Sequence, residues 1–435
     1  MPDRSANSPF PPTDSEGCVA RNLRRIAHLD VPSGAQVVAR DGLLFIGHMT
    51  PPHGTSIIDV RDPRRPAPLA RIELPESHSH SHKVAVSGDV MVVNSQRHRR
   101  KFFRKAEKLP ETENKLKKEL GRAPFDGEIA AALKVKETDI PVLRAERGNG
   151  YEYGGFKVYD ISKPSQPREI AFQRTGGHGA HGLDFDGRYA YVSTEMKGYR
   201  GNILVNFDLA DPEKPQEVSR WCLPGQESPG NWMTGPVGGH WLHHALRCGD
   251  RIWAACWQAG VWVLDATDMS RPDVLGSYNY HPPFFEPTHT VMALPQTYQG
   301  RSLALAIDEE HDDHPRGQPH GMLWVLDVTD PAAIRPLSVF EVSELDSPWS
   351  RSGKFGAGQI VEHPTGDRVF ATWCAGGLRV VDIADPLRPY EIGCFIPPPV
   401  AGFAAPDSMD VEVDERGVIF LLDRNGSLDV LEMKG

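Results

Sequence analysis

Short apolar runs separated by clusters of Gly, Pro and Asp fill most of this chain, and a helical period is sustained in only one stretch. HGLDFDG (181–187), RYAYVSTE (188–195), ILVNFDL (203–209) and EVSRWCLP (217–224) are four such runs in succession. Runs of this length between turn residues predict four short antiparallel strands. The unit then recurs. Its third run reads SIIDVRDPRRP at Asp59, KVYDISKPSQP at Asp160, VNFDLADPEKP at Asp208, WVLDATDMSRP at Asp265, WVLDVTDPAAIRP at Asp327 and RVVDIADPLRP at Asp382, with a truncated SLDVLE at Asp429. Successive Asp positions differ by 101, 48, 57, 62, 55 and 47, and the first interval falls into line once a charged insert at 97–150 is removed. A period near 50 built from strands predicts a propeller or solenoid, not a helical array. The expected fold is all-β, a seven-bladed β-propeller over 21–435 with a helical insert in blade two. In each copy the Asp bonds nearby backbone N–H groups and the following Pro fixes φ, which makes a tight turn. The last copy lacks its fourth run, and NLRRIAHLDVP (22–32) looks like PLARIELP (68–75). An N-terminal strand is therefore expected to close the ring and remove its open edges.

The repeat ends in G-(L/V)-x-V-x-D-(hydrophobic)-x-D-P-x-x-P, and over the whole chain except the tail and the insert it resembles the LVIVD-repeat proteins, a β-propeller family. The resemblance implies the fold. It leaves function open, because propellers host enzymes and binding scaffolds alike.

Composition narrows the setting. The chain has 435 residues, 39% hydrophobic and 24% charged, and a net charge of −10, which argues against nucleic acid as a partner. No apolar run approaches the ~18–20 residues of a membrane span, and residues 1–20 read as a disordered polar tail without a signal-peptide core, so a cytoplasmic protein is expected. The six cysteines form no CxxC pair, and reduced thiols are the expectation. In the insert, a basic helix-favouring segment precedes APFDGEIAAALKV, a second helix with Asp126 as N-cap and Ile129 and Leu133 on one face. It is expected to serve as a lid over the channel mouth or as a contact for a homo-oligomer.

The candidate chemistry lies in the first strand of each copy. Aligned there, the copies place His82, His181, His244 and His289 at one register, with Gln36, Gln359 and Met409 at the same position elsewhere. First strands line a propeller's channel, so four imidazoles are expected to converge on the axis and hold a divalent transition metal, Fe(II) first, with Cu or Mn as alternatives. Taken singly, each histidine is explained as well by bonding backbone carbonyls between blades. Glu195, Gln96 and Asp308 fall at the ends of second strands, as partners for imidazole N–H groups. Glu195, His178 and His243 are the candidate acids and bases. Long loops on the same face supply Trp232, Trp241, Phe284 and Phe285, which with Gln36 and Gln359 are the candidate substrate contacts. In metal placement the arrangement resembles the carotenoid-cleavage oxygenases and, more distantly, the methanethiol oxidases. The reading is a metal-dependent oxidoreductase, dioxygenase-like, acting on a small apolar or aromatic molecule. A metal-dependent lyase or hydrolase and a non-catalytic protein-binding scaffold are the alternatives. No nucleophile elbow, Walker loop or dinucleotide fingerprint occurs where it would have meaning.

Overall fold

Each copy of the repeat folds into antiparallel strands that step outward from a common axis, in a computed structural model that describes residues 10–75, 77–146, 151–227, 239–311, 319–364 and 366–434. Among these residues, five sheets have four strands each. A sixth, of nine strands, joins the second and third copies through a bridge between Gly179 and Gln96. The first sheet runs Gly34–Arg40, Leu43–His48, His53–Asp59 and Ala67–Glu73, two others repeat that order from His244–Cys248 and from Thr288–Tyr298, and two take their outer strand from the N-terminus. The fold is an all-β propeller with few helices. Alternating apolar side chains meet between neighbouring sheets, where Phe45, Trp253 and Trp373 are buried.

The Asp of each full copy does what its turn requires. Asp59, Asp160, Asp208, Asp265, Asp327 and Asp382 each accept, through Oδ1, the backbone N–H two residues on, at 2.8–3.0 Å. Asp429 departs from this pattern. Its Oδ1 accepts from Arg25 Nη1 at 3.2 Å and lies 2.8 Å from His28 Nδ1, both on Leu23–Asp30. That N-terminal strand pairs antiparallel with Ser427–Met433, Leu23 opposite Met433 and Asp30 opposite Ser427. Val19–Arg21 pairs with the strand Tyr390–Ile396 of the neighbouring sheet. Residues 19 and 20 thus belong to a sheet and not to a polar tail, because Cys18 and Val19 have apolar surface to bury and do so.

The insert forms α1 (Arg100–Leu120), α2 (Asp126–Leu133) and α3 (Ile140–Glu146). Ala106, Leu109, Ile129, Leu133, Ile140 and Leu143 give it a core of its own. The N-cap of α2 is Phe125, one residue before the expected Asp126, because Glu128 reaches back to accept the Phe125 N–H at 2.8 Å. Among the described residues no helix is long and apolar enough to cross a membrane.

Candidate metal centre

The inner strands begin with a distortion that the repeat does not announce. In four of them the ladder skips one residue: Ala35 between Gly34 and Gln36, His181 between Ala180 and Gly182, His289 between Thr288 and Thr290, and Met409 between Ser408 and Asp410. A β-bulge leaves its extra residue unpaired and re-aims its side chain. All four bulged residues line one cavity of about 710 Å³, as do His82 and His243, which precede the strands Val84–Ser87 and His244–Cys248, and Gln359, beside the bridge of Ile360 to Ala371.

This shifts two expected positions by one residue. Gln36 sits in the ladder opposite Gly47, its Oε1 accepts the Val84 N–H at 2.9 Å, and Ala35 takes the place at the cavity. His244 likewise pairs with Ala255. Its Nε2 lies 3.2 Å from the Leu183 carbonyl and its Nδ1 3.4 Å from Glu362, so it ties neighbouring sheets together and is no part of the cavity wall. His243, read from sequence as an acid or base, is the residue that joins His181 and His289. The approach needs a glycine: a Cβ on Gly182 would stand 2.4 Å from the His243 carbonyl oxygen.

The hydrogen bonds fix which ring nitrogens carry protons. His243 Nδ1 is 2.9 Å from the His289 carbonyl, which only accepts, so Nδ1 is protonated and Nε2 presents a lone pair. His181 Nδ1 donates to Gln96 Oε1 at 3.0 Å, which leaves its Nε2 a lone pair as well. These two Nε2 atoms face each other at 2.9 Å. Burial drives the rings toward neutrality: His243 is pushed down to about 3, and His181 and His289 well below the usual imidazole value. Two facing lone pairs with no proton between them repel, and a cation bound to both removes the conflict. His243, His289 and Glu309 also bring one ligand atom each within 4.8 Å of one another, with His289 Nε2 3.9 Å from Glu309 Oε2. Burial acts to raise Glu309, yet with His243 and His289 neutral the cationic Lys354 and Arg424 still hold it below the ordinary carboxylate range, so it is an anion.

His82 behaves otherwise than expected of a ligand. Asn94 is oriented by the Lys83 N–H (2.7 Å to Oδ1) and the Ala180 carbonyl (2.9 Å from Nδ2), and its Nδ2 donates to His82 Nδ1 at 3.0 Å. The remaining proton of neutral His82 is then on Nε2, a buried donor with no protein partner among the described residues. His82 offers the cavity an N–H, and the side chains that could hold a metal are His243, His289 and Glu309, with His181 Nε2 facing His243.

Two expected catalytic groups hold the insert instead. Glu195 pairs with Arg104 of α1 and accepts the His178 N–H at 2.9 Å, and His178 Nε2 lies 3.1 Å from Glu107 of α1. Neither lines the cavity, whereas Arg100, Lys101 and Arg104 from the first turns of α1 do. Of the aromatic candidates, Trp241 and Phe285 line the cavity, while Phe284 packs edge to face on Trp324, 5.0 Å between ring centroids, in the core. Trp232 lies outside the described residues. Asp308 is turned away to Tyr280 Oη (2.7 Å) and Trp324 Nε1 (3.0 Å). Sequence reasoning stopped one residue short of Glu309 and of Lys83, which follow Asp308 and His82 directly.

The same burial sets an acid limit on the fold. Histidines with folded values below the unfolded 6.5, with His48 at about 4 and His80, His243 and His244 at about 3, bind fewer protons folded than unfolded. Their stabilisation is full above pH 6.5 and is lost as pH falls through the folded values. Asp184, raised by burial to about 6, Asp308, Asp410 and Asp423, raised to about 7, and Glu412, raised to about 8, act in the opposite sense, but they are fewer than the histidines that burial lowers, which also include His82, His98, His181, His281 and His289. The Tm of metal-free protein is expected to fall as pH drops from 6.5 to 4; a Tm that is flat or rising over that interval would show that the histidines are not held neutral.

No protein-family model matches the chain, and no curated protein matches it. Among solved structures it is similar to a chain of the mitotic checkpoint complex, at 9% identity and TM-score 0.55, covering 95% of this chain and 96% of that one. It is also similar to the WD40 repeats of RRP9, at 11% identity and TM-score 0.54 over 95% of this chain and 100% of the other. The C-terminal WD40 domain of Sif2 gives 8% and 0.53 over 95% and 99%. At these identities the likeness is one of propeller fold alone.

Proposed function

We propose that the chain is a metal-dependent oxidoreductase of the dioxygenase type, built on seven blades of LVIVD-type repeat, two of which make up the nine-stranded sheet. The observation that carries this reading is the pair of facing lone pairs on His181 and His243 beside His289 and Glu309. Imidazoles and a carboxylate with no thiolate suit a non-haem iron(II) site, which makes iron the first choice. Bound iron(II) would supply the place where dioxygen and an organic substrate meet. The chain's own residues do the rest: Gln96 and the His289 carbonyl hold two ligand rings in the required tautomer, His82 Nε2–H is a donor toward the cavity, and the insert keeps bulk water out.

The test is anaerobic reconstitution of chelator-treated protein with Fe(II), Cu(II) and Mn(II) separately, followed by metal analysis and oxygen uptake with a panel of aromatic compounds. Close to one equivalent of iron and substrate-dependent oxygen uptake are expected. Less than about a tenth of an equivalent with every metal would remove the reading, since a site of this kind binds far above that level.

A further inference from the structure

The cavity is basic in a chain that is acidic overall. Seven basic side chains reach it, from Lys83, Lys354 and Arg424 on the propeller and Arg99, Arg100, Lys101 and Arg104 on the insert, against three acids, Glu286, Glu309 and Asp410. The acids are engaged: Glu309 sits with the ligand set, Glu286 accepts the His311 N–H at 2.8 Å, and Asp410 accepts the Val37 N–H at 2.7 Å. The propeller cations are not matched in the same way. Lys83 is only 6% exposed, and the carboxylates that feel its charge are Asp410 and Glu362, neither of which forms an ion pair with its Nζ within 4 Å. Among the described residues Lys354 Nζ donates to Met409 Sδ alone, at 3.8 Å, and Arg424 Nε is buried without a hydrogen-bond partner. The carboxylates of Asp407 and Glu309 act on both from beyond ion-pair distance and hold their values above the ordinary ones, so the charge is compensated while the Lys354 ammonium and Arg424 Nε have no oxygen partner among the described residues. An anion from outside would bring these donors the oxygen acceptors they lack.

A second feature of the wall limits what carries that anion. Trp257 stacks on the ring of His243 at 4.9 Å and 26°, and Trp241 lies roughly parallel to Trp257 at 6.5 Å and 22°. Both line the cavity, next to a member of the ligand set. Flat indole faces take a flat partner, and a guanidinium and two ammonium groups take carboxylate oxygens.

We propose that the cavity binds an aromatic carboxylate, its ring against Trp241 and Trp257 and its carboxylate on Lys83, Lys354 and Arg424. This amends the neutral apolar substrate expected from sequence. As a statement about turnover it rests on the oxidoreductase reading; as a statement about binding it does not, because every group named belongs to the protein.

The experiment therefore uses metal-free full-length protein, with benzoate as probe followed by tryptophan fluorescence and calorimetry, and benzamide and inorganic phosphate as companion arms. Benzoate is expected to saturate. Benzamide, which has the same shape but no charge, is expected to bind about tenfold more weakly or worse, since a hydrogen bond to a charged group is worth ~1.5–3 kcal/mol. Lys354→Gln and Arg424→Gln are each expected to weaken benzoate to a similar extent with Tm retained. They carry the test even if Lys83→Met does not fold. Equal binding of benzamide and benzoate, or unchanged affinity in both Gln variants, overturns the proposal. Phosphate bound as tightly as benzoate also overturns it, by assigning the cations to an inorganic or phosphorylated anion. Failure here leaves metal loading untouched, and failed metal loading leaves benzoate binding untouched.

Discussion

His243→Ala is expected to empty the metal centre while His244→Ala leaves it loaded, although the two residues are neighbours in sequence and alike in chemistry. His243 presents its Nε2 to His181 at 2.9 Å and shares ligand distance with His289 and Glu309. Loss of a residue that merely orients a ligand costs about 10–100-fold in metal affinity, so loss of a ligand should exceed ~100-fold. His244 is bonded to the Leu183 carbonyl, and its removal should instead cost stability, about 1 kcal/mol for a hydrogen bond of this kind. Metal content per chain and Tm, measured on both variants after identical reconstitution, separate the two roles. The opposite pattern, with His244→Ala empty and His243→Ala loaded, would restore the ring of histidines read from sequence.

Deletion of residues 1–30 is expected to abolish soluble folded protein. The strand Leu23–Asp30 supplies the outer partner of Ser427–Met433 and buries Leu23 completely. Losing one buried leucine side chain costs about 2–5 kcal/mol, and the deletion also removes the whole ladder and leaves Asp429 without Arg25 and His28. The sum exceeds the ~5–15 kcal/mol by which domains are stable, and the exposed edge invites aggregation. Far-UV circular dichroism and size exclusion of the truncated chain check this. A monomer that unfolds cooperatively at the Tm of the intact chain would mean that the ring does not depend on its N-terminal strand.

The sequence disclosed what is periodic and hid what is local. The Asp of each repeat, its turn and the closing strand were legible because all derive from composition at fixed spacing. The bulges were not. A one-residue skip before Gln36 or Asp410 leaves the alternation on either side intact, so alignment alone does not tell which of two neighbours, His243 or His244, faces the axis. The role of Glu195 escaped for another reason. Its partner Arg104 is 91 residues away in an insert that shares no repeat with the propeller, and only the folded chain brings them together. Lys83, Lys354 and Arg424 lie 271 and 70 residues apart with no shared motif, and only the closed ring places all three in one cavity.

The way the ends of the chain meet has a mechanical consequence. Leu23 is paired with Met433, and Val19–Arg21, just before it, is paired with the neighbouring strand at Ile396 to Cys394. Tension applied between residues 19 and 433 does not load the whole Leu23–Asp30 ladder in parallel. It peels the short N-terminal strand away first, and then opens the seam one residue pair at a time from Leu23 toward Asp30. A ring that resists heat as a single cooperative body would thus yield to a low, steady pulling force, like a zip opened from its free end.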